Sequence, residues 1–113
     1  MENSLYPAAT PEIAKRREQL TPETLNTWRA FSRQVFADGA LPAKTKDLIA
    51  VAVAHVTQCP YCIRAHTRSA RAKGATDKEI MEAIWVAAEM RAGGAIAHSA
   101  LAIDVLKEHT PSE

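Results

Sequence analysis

Signals for the start of a helix recur along the chain, and they constrain its fold more than any other feature of the sequence. A threonine before Pro-Glu is typical of an N-cap followed by proline at the first helical position. Thr76-Asp-Lys-Glu79 is a capping box, in which the threonine and glutamate side chains each accept a hydrogen bond from the other residue's backbone N–H. The chain therefore predicts helix starts near Pro11, Pro22, Pro42, Pro60 and Thr76.

Apolar residues between these signals follow helical spacing, as Leu25, Trp28, Val35 and Phe36 do. The segment DLIAVAVAHV is ambiguous because alternating valine and alanine are also typical of a buried strand. Its length, its alanine content and the lack of a partner strand favour a central, buried helix. We predict an all-α fold: one compact domain over residues 1–113, with about five to six helices and flexible ends at 1–9 and 108–113.

The last apolar run, from Ile80 to Leu106, leaves the helix number open. Gly93-Gly94 either breaks it into two helices or allows a close backbone approach. The run has more apolar surface than one small domain easily covers, which favours homo-oligomers with Met81 and Trp85 at or near an interface. Large apolar side chains are expected in the core, namely Trp28, Phe31, Phe36, Trp85 and Met90.

Charge and targeting signals narrow the class of protein. Fourteen basic and thirteen acidic residues give a net charge of +1, which argues against nucleic acid or an anionic membrane as a partner. The N-terminal residues lack the apolar stretch of a signal peptide, and no run approaches the ~20 apolar residues of a membrane span. We expect a cytoplasmic protein, whose two cysteines, three residues apart, indicate redox chemistry or metal binding.

The cysteines lie in Cys-Pro-Tyr-Cys, the redox signature of glutaredoxins, but the strand and sheet of that scaffold are not predicted here. Cys59 instead falls near the N-cap of a helix, where unpaired N–H groups and the helix dipole favour a thiolate. Cys62 and His66 follow at three and seven residues, so all three share one helix face. An imidazole one turn from a thiol can accept its proton, and the two thiols can close a disulfide.

The preceding helix carries a second set of candidates. Asp47, Val51 and His55 lie four residues apart and form one stripe. If the two helices pack as a hairpin around Gln58, Asp47 or His55 can face the dithiol helix. His55 and Tyr61 are predicted as pocket residues.

The segment from Lys44 to Glu79 resembles the AhpD-like branch of the carboxymuconolactone decarboxylase family: an acidic residue, an apolar helix, Cys-x-x-Cys-x-x-x-His, then Gly-Ala-Thr and an acidic capping turn. The resemblance implies an all-helical domain that forms homo-oligomers, often trimers or hexamers, with dithiol-dependent peroxidase activity. It also implies roles: Cys62 attacks the hydroperoxide, Cys59 resolves the sulfenic acid, His66 is the base and Asp47 the relay carboxylate. A lipoyl-bearing protein or another dithiol would restore the thiols, with no metal or organic cofactor.

Two positions depart from the family pattern. The relay carboxylate is usually glutamate, and the shorter Asp47 leaves open whether a water is needed to reach His66. Pro60-Tyr61 stands where the best-studied alkylhydroperoxidases have a histidine between the cysteines. Helix position alone predicts the lower pKa at Cys59, whereas the resemblance implies that Cys62 reacts first.

Other functions stay open. One is a general thiol–disulfide oxidoreductase with weak peroxidase activity, in which Cys59 and Cys62 exchange with other disulfides. Another is a zinc-stabilised interaction module, with a fourth ligand from His55 or His98 beside the dithiol and His66. Lactone decarboxylation is disfavoured because that branch of the family generally lacks the cysteine pair.

Overall fold

The computed structural model describes residues 5–108, and every regular element in that range is a helix. The five helices are α1 (Pro11–Leu20), α2 (Pro22–Phe36), α3 (Ala43–Thr57), α4 (Pro60–Ala72) and α5 (Asp77–Lys107). The predicted all-α class is confirmed, with the helix number at the lower end of the expected range. Of the predicted flexible ends, residues 1–4 and 109–113 lie outside the described residues. The chain divides into two compact units, residues 1–43 and 44–113.

The first unit is the helical pair α1 and α2, and both helices begin where the Thr-Pro-Glu signals predict. Thr10 caps α1, since its hydroxyl accepts a hydrogen bond from the Ile13 N–H at 3.2 Å. Thr21 alone separates the helices and makes no side-chain cap. The rings of Trp28 and Phe31 contact each other with centroids 5.8 Å apart, but both side chains are more than half exposed.

The second unit contains α3, α4 and α5 around a small core. Val51, Ala70, Ala75 and Ile80 are buried in this core, and Leu48 and Ile84 pack against it. Two of these four buried residues are alanine and a third is valine, so the core is narrow and alanine supplies much of its surface. α5 contributes the stripe Ile80, Ile84 and Ala87, which follows helical spacing.

The expectation that the large apolar residues fill the core is wrong for most of them. Trp85 and Met90 are each 64% exposed, because they lie on other faces of α5 than the buried stripe. Trp28 and Phe31 are likewise exposed, and Phe36 is half-buried. Met81 and Trp85 are exposed, and their place at or near an interface between copies stays a prediction.

Helix α5 runs without interruption for 31 residues, so Gly93-Gly94 does not break it. A Cβ at Gly94 would meet no atom within 4 Å, and one at Gly93 would meet only the Glu89 carboxylate at 3.6 Å. No backbone therefore approaches these glycines within the described residues. Among residues 5–108, no helix combines the length and the apolar character that a membrane span requires.

Candidate active site at the α3–α4 hairpin

A tight turn joins α3 to α4 and places the dithiol. Gln58 adopts a left-handed conformation (φ 58°) and is the one non-glycine residue with positive φ among residues 5–108. The next N–H, that of Cys59, donates to the Ala54 carbonyl at 3.1 Å, which is the long bond of a Schellman motif. The chain thus leaves one helix and enters the next within two residues, and the predicted hairpin with its cysteines at a helix N-terminus is confirmed.

Cys59 is the N-cap residue of α4, as its position before Pro60 predicts. Its Sγ accepts a hydrogen bond from the backbone N–H of Cys62 at 3.3 Å. The two Sγ atoms lie 2.6 Å apart, and both cysteines are free and partly buried. The thiols are therefore in direct contact, which favours closure of a disulfide between them.

The surroundings of the two thiols shift their pKa values in opposite directions. The hydrogen bond shared with the Cys62 thiol, followed by the backbone N–H of Cys62, lowers the pKa of Cys59. The same shared bond, followed by burial, raises the pKa of Cys62. The first negative charge on the pair therefore belongs on Cys59, in the direction that its helix position predicts.

Asp47 is the one buried charged residue among residues 5–108, at 1% exposed, and three side chains of α4 bind it. Its Oδ1 accepts a hydrogen bond from His66 Nδ1 at 3.0 Å. Its Oδ2 accepts from Ser69 Oγ at 2.7 Å and from Lys73 Nζ at 2.5 Å. Asp47 thus reaches His66 directly, and the shorter side chain needs no bridging water.

Burial and hydrogen bonding act on Asp47 in opposite directions. Burial is the largest single effect and acts to raise the pKa of Asp47, but the bonds from Lys73, Ser69 and His66 together outweigh it. The net pKa is lowered, so the carboxylate is ionised throughout the neutral range.

An ionised carboxylate can only accept hydrogen bonds, so the contact with Asp47 fixes the tautomer of His66. Nδ1 must carry a proton, and in the neutral ring the lone pair is then on Nε2. The imidazole is one helical turn from Cys62 on the same face of α4. This arrangement holds a base in one defined tautomer beside the dithiol.

Ser69 and Lys73 are the parts of the site that the sequence analysis missed. They continue the stripe that begins at Cys59 and passes through Cys62 and His66, at alternating spacings of three and four residues. This helical spacing was the available signal, but a serine and a lysine on a helix face do not indicate a site unless a carboxylate is known to lie opposite them.

The predicted pocket residues contribute less directly. The backbone N–H of Tyr61 adds to the lowering of the Cys59 pKa, and its side chain is 37% exposed. His55 Nδ1 donates to the Val51 carbonyl at 2.7 Å, so this ring is held within its own helix. His98 Nδ1 donates to the Gly94 carbonyl at 2.9 Å in the same way. Within residues 5–108, no three His, Cys, Asp or Glu side chains are grouped to hold a metal ion.

Residues 22–104 match the sequence profile of the carboxymuconolactone decarboxylase family. The chain belongs to that family. A relative in Paracoccus denitrificans, called uncharacterized protein 4 in cox locus, is 67% identical over 79 residues, covering 70% of this chain and 71% of the relative. An uncharacterized protein of Cupriavidus necator is 33% identical over 75 residues, 66% of each chain.

Solved structures of similar proteins share the fold. A protein from Methanobacterium thermoautotrophicum matches with a TM-score of 0.69 at 34% identity, over 74% of this chain and 93% of its own. A carboxymuconolactone decarboxylase family protein from Legionella pneumophila matches with a TM-score of 0.66 at 34% identity, over 86% of each chain. A family member from Thermotoga maritima, described as having a possible role in the antioxidative response, matches with a TM-score of 0.54 at 36% identity, over 74% of this chain and 89% of its own.

Proposed function

We propose that this protein is a thiol-dependent peroxidase that reduces hydroperoxides through a Cys59–Cys62 dithiol–disulfide cycle. The observation that carries the proposal is the Asp47–His66 hydrogen bond, which holds a base of fixed tautomer on the helix face that bears both sulfurs. An acid, a histidine and a thiol in this order form the arrangement by which a weakly acidic nucleophile is activated. The description of the Thermotoga maritima relative agrees with an antioxidative role.

The proposed cycle balances without a metal or an organic cofactor. His66 Nε2 accepts the Cys62 proton, and the thiolate attacks one peroxide oxygen. The O–O bond breaks, Cys62 becomes a sulfenic acid, and the alcohol leaves with the proton that His66 held. The Cys59 thiol then loses its proton to solvent and attacks the Cys62 sulfur as a thiolate. The S–S bond forms, the S–O bond breaks, and the hydroxide takes up a proton from solvent and leaves as water. A dithiol reductant, such as a lipoyl-bearing protein, restores both thiols and is itself oxidised to a disulfide.

The lowered pKa of Cys59 suits its role as the resolving nucleophile, because it favours the thiolate form that attacks the sulfenic acid on its neighbour. The same observation favours a second candidate, a general thiol–disulfide oxidoreductase. In that function Cys59 attacks the disulfide of another molecule, and Cys62 closes the ring. The two candidates differ in which sulfur reacts first and in whether a peroxide is the oxidant.

Assembly and location are part of the proposal. The C-terminal half of α5 exposes Ile96, Leu101, Ile103, Val105 and Leu106 on several faces. A helix that is apolar on most sides is normally buried, which supports a homo-oligomer. A trimer or hexamer is the assembly that the family resemblance implies, and we propose that it is located in the cytoplasm. Light scattering on the native protein measures its mass directly.

A thiol count and an intact mass after one equivalent of cumene hydroperoxide test the function. Reduced wild-type protein should lose both thiols and two mass units, and Cys59→Ser should trap a sulfenic acid on Cys62. Cys62→Ser is the matched variant, which should react far more slowly with peroxide. If wild-type thiols survive peroxide but are consumed by oxidised lipoamide, the protein is an exchange enzyme. If neither oxidant consumes them, the redox proposal is wrong.

A further inference from the structure

Asp47 carries one negative charge, and two nitrogen groups compete for it. His66 Nδ1 lies 3.0 Å from Oδ1, while Lys73 Nζ lies 2.5 Å from Oδ2. A buried carboxylate with a histidine as its one partner favours the imidazolium form, because the positive ring then satisfies the charge. An imidazolium has no lone pair and cannot take a proton from a thiol.

The lysine changes this balance. Its ammonium neutralises the carboxylate at the oxygen opposite the histidine, so Asp47 orients the His66 ring without adding a net negative charge beside it. Ser69 holds the lysine in place: its Oγ accepts from Lys73 Nζ at 2.9 Å and donates to Asp47 Oδ2. The three groups form a closed ring of hydrogen bonds on one oxygen of the carboxylate.

We propose that Lys73, seated by Ser69, is a positioning residue that keeps His66 neutral, and therefore able to act as a base, by neutralising Asp47. The proposal rests on the proposed function, in which His66 accepts the Cys62 proton. Ser69 and Lys73 then belong to the site, where they affect the pH dependence of the oxidation rate and do not contact the substrate.

Other charged and titratable groups lie on the three helices of the second unit. On α3, Lys44 lies one turn before Asp47 and is paired with Glu79 of α5 at 3.1 Å. On α4, Cys62 precedes His66 by one turn. On α3, the ring of His55 is bound within its own helix, two turns beyond Asp47. Arg71 of α4 and Asp77 of α5 form a further pair at 3.8 Å, and both of these side chains are exposed.

The Lys44–Glu79 pair supplies a matched control. Lys44 and Lys73 are equally exposed, at 36% and 37%, and each joins two helices through a carboxylate. The two lysines differ in their partner, because Glu79 is 43% exposed whereas Asp47 is buried and touches His66. Lys44→Met removes a comparable cross-helix pair but leaves the Asp47 network intact.

The experiment is the pH–rate profile for single-turnover oxidation of the reduced, full-length protein by cumene hydroperoxide. In Lys73→Met the acidic limb should move up by about one pH unit, which is a tenfold loss of rate on that limb. The rate at the alkaline plateau should stay within about twofold of wild type, since the base itself remains. Ser69→Ala should move the acidic limb in the same direction but by less. Lys73→Arg keeps the positive charge, so its acidic limb should lie where that of wild type lies. Lys44→Met should also leave the limb at its wild-type position.

A second readout does not depend on peroxidase activity. In NMR titrations of the imidazole, His66 should take up its proton at higher pH in Lys73→Met than in wild type or in Lys44→Met. If wild-type thiols do not react with peroxide, the proposed function fails while this titration still tests Lys73. A rate loss that is equal at all pH values, or an unmoved His66 titration in a folded Lys73→Met protein, would refute the positioning role.

Discussion

Replacing Asp47 by asparagine should destabilise the protein strongly, because the carboxylate is both buried and bound three times. Asparagine has nearly the same shape, but it offers one oxygen and directs an NH₂ group at donors that need an acceptor. A net contribution of about 1.5–3 kcal/mol is typical of a hydrogen bond to a charged group. With its oxygen in the Oδ2 position, asparagine can keep the bonds from Ser69 and Lys73 but loses the bond from His66.

The magnitude follows from the lost His66 bond and from the lost negative charge opposite Lys73. The His66 bond accounts for about 2 kcal/mol, while the Lys73 charge pair is discounted to about 1 kcal/mol, because a side chain that is 37% exposed can turn to water. The free energy of unfolding should therefore fall by about 3 kcal/mol at pH 7. For a chain of this size that corresponds to a fall in Tm of about 10 °C.

The stabilising contribution of Asp47 depends on pH and is lost at low pH. The folded-state pKa of Asp47 is lowered, so its stabilising contribution is fully present above the unfolded value of about 3.9 and disappears as the pH falls through the folded pKa. Wild type and Asp47→Asn should differ equally at pH 7 and pH 5. The difference should shrink below about pH 4, where the Asp47 carboxyl of the unfolded wild-type chain takes up a proton before that of the folded protein does.

Urea unfolding followed by circular dichroism at pH 7, 5 and 2.5 measures this difference at a fixed protein concentration. Asp104→Asn is the control, since Asp104 is an exposed carboxylate on α5 and its loss should change the stability by less than about 0.5 kcal/mol. A loss in Asp47→Asn below about 1 kcal/mol at pH 7, or one that persists undiminished at pH 2.5, would refute the reasoning.

Two further substitutions test the turn and the core. Gln58→Gly should raise the free energy of unfolding in urea by about 0.5–1 kcal/mol, because glycine adopts a left-handed conformation without a Cβ clash. Gln58→Val should lower it, and equal stability of the two variants would contradict this prediction. Val51→Ala should lower the free energy of unfolding by about 2 kcal/mol, because Val51 is fully buried. Val53→Ala, on the exposed side of α3, should lower it by less than about 0.5 kcal/mol. Similar losses in both variants would mean that the assigned core is wrong.

Helix boundaries were the most predictable part of this fold because they depend on local chemistry. Thr76 with Glu79 and proline after Thr10 satisfy backbone N–H groups within one turn, and the capped helices begin where those residues lie. The face that each helix buries depends instead on its neighbours. The core of α3–α5 is built largely from alanine, so the presence of Trp85 in a periodic pattern gave no indication that it lies outside the core.

The candidate site was predictable in part for the same reason. Cys59, Cys62 and His66 share a helix, and their common face follows from spacing alone. Asp47 was assigned through the resemblance, and the direct His66 contact depends on how closely α3 and α4 pack.

The buried carboxylate links the stability of the second unit to its chemistry. Asp47 lies one turn before Val51, the fully buried centre of the core, and its three partners lie on the α4 face that bears the thiols. A group in this position cannot orient His66 without also holding α3 against α4. Changes that loosen the core should therefore also free the imidazole from its tautomer. For that reason Lys73, which is partly exposed, is the better residue through which to separate the two effects.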